Sequence, residues 1–128
     1  MLRALTALSL LCLSAPTFAQ DAEAPSSIEG LWTDGSRIYS LMPNGFGAVQ
    51  YERVPGPFAV WRYRYENGVL SFTDIDGFSP CVGMTAHYSV STTDTGLLLV
   101  PIEEPCEARR GPEAVPLEPY TDGIQLSG

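Results

Sequence analysis

The chain has 128 residues, with 15 Asp and Glu against seven cations, for a formal charge of −8. That length suits one domain. A chain this acidic, without a basic run, is a poor holder of nucleic-acid phosphates or of an anionic membrane surface, both of which need clustered cations.

Residues 1–20 read MLRALTALSLLCLSAPTFAQ. Arg3 gives a positive start, Ala4 to Ala15 an apolar run, Pro16 a break, and Thr17-Phe18-Ala19 an ending on a small residue. This is the layout of a secretory signal peptide over residues 1–19, cleaved after Ala19. The apolar run of twelve residues falls short of the roughly 20 that a bilayer-crossing helix needs, so no membrane span is expected. Leu11, directly before Cys12, is too large for a lipid-attachment signal. Cleavage would leave 109 residues, one cation fewer, and two cysteines, Cys81 and Cys106. Export implies an oxidising compartment, where two cysteines form one bridge. Their spacing, with a single histidine in the chain, fits neither a zinc set nor a redox C-x-x-C.

Residues 20–27 contain a Pro and two Ser among polar neighbours and are expected to form a flexible leader. Structure is expected over residues 28–120, with 121–128 as a tail. Within that domain, apolar–polar alternation is interrupted by turn residues at regular intervals. The expected strands are Ile28–Thr33, Arg37–Met42, Phe46–Arg53, Phe58–Tyr65, Val69–Thr73, Met84–Thr92 and Leu97–Ile102. The Asn-Gly and Asp-Gly dipeptides between them suit tight hairpins, because they tolerate positive φ. Asp74–Gly83 is expected to be a long loop. After Glu103, four prolines rule out a long helix, and Val115–Tyr120 is expected to add a strand confined to an edge. No stretch sustains a helical period; the period is two. The fold class is therefore all-β, an antiparallel meander of about seven to eight strands forming a small barrel or a sandwich.

Alternation assigns Ala59, Trp61, Tyr63 and Tyr65 to one face of the fourth strand and Met84, Ala86, Tyr88 and Val90 to one face of the sixth, as core candidates. Facing inward, Trp61, Tyr63, Tyr65, Phe72 and Tyr88 would line a barrel interior, which binds a small apolar ligand or packs as a filled core. Asp74 and Asp76, alternate carboxylates before Gly77, resemble the start of a calcium loop, but the rest of that pattern is missing, and a solvated loop is the stronger expectation. His87 is expected on a solvent face, with no G-x-S-x-G and no free cysteine to pair with it. Glu103, Glu104, Glu107, Arg109 and Arg110 are expected to form a solvated charged loop. No cofactor is expected, and no catalytic constellation is visible.

Gly30-x-Trp32, the turn Pro43-Asn44-Gly45-Phe46, the run from Trp61 to Phe72 (W-x-Y-x-x-E-N-G-x-L-x-F), a cysteine beyond it and E-x-C-x-x-R around Cys106 resemble the small exported lipocalin-like β-barrel proteins of Gram-negative bacteria. The resemblance covers roughly residues 28–110. It implies a barrel in the periplasm or outside the cell, with Trp32 at one barrel end packed on a late arginine, for which Arg109 is the match. It implies no activity. At about 109 mature residues the chain is short for a lipocalin, so a small or filled interior is expected. Two roles remain: a binding module for a small apolar or aromatic molecule, or a protein-interaction module such as an inhibitor of an exported protease, its leader entering the active cleft.

Overall fold

The computed structural model describes residues 23–121. The signal-peptide reading of residues 1–19 and nearly all of the tail lie outside the described residues. Eight strands follow in order: β1 (Gly30–Thr33), β2 (Arg37–Leu41), β3 (Phe46–Tyr51), β4 (Ala59–Glu66), β5 (Val69–Gly77), β6 (Thr85–Thr92), β7 (Leu97–Glu103) and β8 (Val115–Pro119). Each pairs antiparallel with the next, and β8 returns to β1, so the sheet closes into a barrel. Closure leaves no free sheet edge. An all-β, up-and-down barrel is the architecture that the lipocalin-like resemblance implies.

Successive strands run in opposite directions, which gives the barrel two distinct ends. The lower end carries the β2–β3, β4–β5 and β6–β7 turns and the leader. The upper end carries the β1–β2, β3–β4, β5–β6 and β7–β8 loops. At the lower end Asn67 (φ 51°) and Gly68 (φ 76°) make the two-residue turn, whose positive φ at both positions matches the twist of the flanking strands.

Inward alternation builds one core. Ala59 and Trp61 of β4, Leu70 and Phe72 of β5, and Ala86, Tyr88 and Val90 of β6 are all buried. Met84, expected to join them, precedes β6 and is exposed, because the strand begins only at Thr85. Trp61 lies opposite Gly47 of β3. A Cβ on Gly47 would stand 2.8 Å from the Ser40 carbonyl and 3.0 Å from the Trp61 ring, so the indole uses the space that a side chain on β3 would fill.

Two expectations about element limits are corrected. Asp74–Gly77 is not loop: β5 continues through it, paired with Ala59, Val60 and Trp61. β8 is not an edge strand. It pairs with β7 through Val115–Leu117 and with β1 through Glu118 and Pro119. Its prolines fit because N–H groups alternate sides along a strand. The Tyr120 amide reaches β1, so position 116 faces the same side, past the end of β1, while position 119 faces β7 beyond its first residue. Neither missing N–H faces a partner.

The leader, from Glu23 on, is bound to the barrel rather than free. The Glu23 carbonyl accepts from the Thr92 amide and hydroxyl, and the Pro25 carbonyl accepts from the Tyr65 hydroxyl at 2.6 Å. Ile28 is buried in the lower end, and its carbonyl accepts from Trp32 Nε1 at 2.9 Å.

Candidate functional site: a cavity at the upper end

The upper half of the barrel interior holds a cavity of about 190 Å³, lined by Tyr39, Trp61, Phe72, Tyr88, Asp74 and Arg109 among others. Its aromatic wall comes from four strands. Ring centroids are 6.0 Å apart for Tyr39–Trp61, 4.8 Å for Trp61–Phe72 and 5.7 Å for Phe72–Tyr88, all tilted pairs. Such contacts add to the burial of the rings themselves and fix their orientation.

The mouth is covered by the β7–β8 loop, which contains a single 3₁₀ turn at Glu107–Arg109. The Cys81–Cys106 disulfide ties this loop to the β5–β6 loop. From the turn, Arg109 reaches inward. Its guanidinium stands 4.8 Å over the Phe72 ring, Nε is 2.9 Å from Glu104 Oε1, and Nη1 is 2.9 Å from Asp74 Oδ1. Both carboxylates are almost wholly covered, with side chains 2 % exposed for Asp74 and 5 % for Glu104. The Tyr88 hydroxyl donates to Glu104, and the Ser79 hydroxyl donates to Asp74 Oδ2 at 2.7 Å. Buried charges persist only when paired and hydrogen-bonded in this way.

Burial alone would push the Glu104 carboxyl up. Hydrogen bonds from Arg109, Tyr88 and the Cys106 amide, with the arginine charge, outweigh it and hold the carboxyl below its ordinary range. Asp34 on the β1–β2 loop behaves alike: burial is outweighed by the amides of Ser36 and Arg37, the Tyr39 hydroxyl and the Arg37 charge. Burial pushes the Tyr39 and Tyr88 hydroxyls well above the ordinary tyrosine value, so both stay protonated donors at neutral pH.

The expected site residues therefore separate. Trp61, Phe72 and Tyr88 line the cavity. Tyr63 and Tyr65 do not: they lie nearer the lower end of β4, where their hydroxyls donate to the Met42 and Pro25 carbonyls and hold the bottom shut. Trp32 and Arg109 do not pack together. Trp32 bonds downward to Ile28, while Arg109 stacks on Phe72 at the other end.

The charged loop after β7 is not simply solvated either, since Glu104 and Arg109 point into the barrel. Asp74 and Asp76 face opposite sides of the sheet. In the β4–β5 ladder Asp74 faces Trp61 and Asp76 faces Val60, so Ile75 is an extra, bulged residue. Asp74 keeps the inward alternation of Leu70 and Phe72, and the bulge reverses the alternation beyond it, leaving Asp76 exposed, its carboxylate bonded to the Gly77 amide.

Sequence reasoning missed Asp34, Tyr39, Ser79 and Glu104 as members of the upper-end cluster. The spacing E-x-C-x-x-R does carry a signal, since it sets Glu104 and Arg109 on either side of the bridged Cys106. It also missed the neighbours of His87 on the outer face. Ser71 Oγ lies 2.8 Å from His87 Nδ1, and Glu103 Oε1 lies 3.9 Å from Nε2. These three are cross-strand neighbours on β5, β6 and β7, and the cavity is on the opposite face of the sheet.

Fold and site together define an eight-stranded barrel closed below by its own leader and holding an aromatic cavity above. No family model matches the chain, and neither a curated protein nor a solved structure does.

Proposed function

We propose that this protein is an exported binding module that holds one small aromatic or apolar molecule in the upper half of its barrel. The carrying observation is the cavity of about 190 Å³ walled by Tyr39, Trp61, Phe72 and Tyr88. A dry apolar cavity of about 150 Å³ takes a benzene ring, so the space suits a single substituted ring and not a long acyl chain. The signal-peptide layout and the disulfide support export to the periplasm or beyond. No catalytic step is assigned. Native mass spectrometry, together with fluorescence of a Trp32→Phe variant in which Trp61 is the sole emitter, tests the reading. Quenching by single-ring aromatics is expected; an apo mass with no quenching across such a panel overturns it.

A protein-interaction role, such as inhibition of an exported protease, is favoured by a different observation. Phe78 is 84 % exposed, and Val54, Ile75, Val82 and Met84 are exposed around the same upper end, an apolar rim of the kind that marks contact surfaces. On this reading the rim makes the contact, since the leader is tied to the barrel from Glu23 on. Phe78→Ser is then expected to abolish inhibition while leaving ring binding intact; retained inhibition counts against it.

A further inference from the structure

The charges that border the cavity run against the composition of the chain. Acids outnumber cations by 15 to seven overall, yet three arginines, Arg37, Arg109 and Arg110, and a single carboxylate, Asp74, line this space. The carboxylate is closed to a ligand: Asp74 is buried, with Oδ1 against Arg109 and Oδ2 taken by the Ser79 hydroxyl. Arg109 is equally closed, held by Asp74 and Glu104 over the Phe72 ring. The Tyr39 and Tyr88 hydroxyls already donate to Asp34 and Glu104.

The two remaining arginines differ in what holds them. Arg37 turns Nε and Nη2 to Asp34, which matches its charge at 2.9 Å. Arg110, on the loop that covers the mouth, is exposed, and its Nε and Nη2 donate only to the Glu104 and Pro105 carbonyls. No carboxylate pairs with it among the described residues, and its Nη1 makes no hydrogen bond there. Glu104, on the same loop, has its oxygens engaged by Tyr88, Arg109 and the Cys106 amide. The mouth therefore offers an open, unmatched guanidinium and no open carboxylate, above an aromatic wall. That combination suits a molecule with a ring at one end and an anion at the other, since guanidinium and carboxylate form a charge-assisted hydrogen bond.

Resting on the cavity reading above, we infer that the ligand is a single-ring aromatic carboxylate, its ring among Trp61, Phe72 and Tyr88 and its carboxylate at the mouth, where Arg110 donates to it. The anion stays at the water-facing end, so binding does not require burying its charge.

Isothermal titration of the disulfide-bonded protein with benzoate and 3-phenylpropionate, each against its amide, tests this, with toluene as the bare ring. The two acids differ in the reach from ring to carboxylate. At low salt at least one acid is expected to bind about fivefold or more tightly than its amide, an advantage that shrinks as salt screens the open guanidinium. Arg110→Met is expected to abolish that difference while toluene binds as before. Amides that match or exceed both acids, or a preference that survives Arg110→Met, overturn the inference and leave the cavity reading standing. If acids, amides and toluene all fail to bind, both fall.

Discussion

At the scale of single residues, Arg109 is the most consequential side chain of the upper end. It holds Asp74 and Glu104 in a nearly water-free setting and covers the Phe72 ring. Removing one partner of such a cluster strands the others, which typically costs about 3–5 kcal/mol. Arg109→Met is therefore expected to lower the urea midpoint sharply, whereas Arg110→Met, whose partners are carbonyls in an exposed loop, is expected to change it little. Two buried carboxylates of the upper end, Glu104 beside Arg109 and Asp34 beside Arg37, make stability depend on acid. Glu104 and Asp34 have folded-state values below their ordinary ones, so their contribution is complete above the unfolded carboxylate range of about 4. It is lost as pH falls through the lower folded values. Denaturation series between neutral pH and pH 3 are expected to show this loss, and Glu104→Gln is expected to flatten the acid limb.

At the scale of elements, the disulfide and the leader fasten opposite ends. Cys81 and Cys106 are 25 residues apart, and a loop of that length gives about 3–4 kcal/mol in the chain-entropy model. Reduction is expected to lower the melting temperature and to loosen the β7–β8 loop first, seen as amide exchange at residues 104–114 ahead of the strands. Ile28 seals the other end at 2 % exposure. Ile28→Ala is expected to cost about 2–4 kcal/mol from the cavity it leaves, read as a urea-midpoint shift.

The strands themselves were legible in the sequence because alternation and turn dipeptides are local signals. Seven observed strands overlap the stretches marked by alternation, and Val115–Pro119 matches the eighth within one residue. What local pattern did not carry was the extra residue in β5 at Ile75 and its counterpart in β7 at Ile102, where the pairing skips from Pro101 to Glu103. A bulge is visible only against the partner strand.

For the molecule as a whole, barrel closure sets the cavity, and a bound ring is expected to stabilise it by mass action. A ligand at 100 times its Kd adds about 2.7 kcal/mol, which calorimetry would read as a rise in Tm; a high-affinity ring that left Tm unchanged would be binding outside the folded cavity. Leu99→Trp, pointing into the same space, is expected to remove that rise while keeping the barrel.

The sequence by itself determined the cysteine pair Cys81 and Cys106 and the antiparallel all-β fold. Each rests on composition or on a period of two, which neighbouring residues report. Only the tertiary structure decided where the charges go. Two bulges shift the alternation by one residue, turning Asp76 outward, away from the buried Asp74, and Glu104 inward beside the outward Glu103. An acidic surface and a buried carboxylate–arginine cluster therefore have the same composition, and strand registry alone separates them.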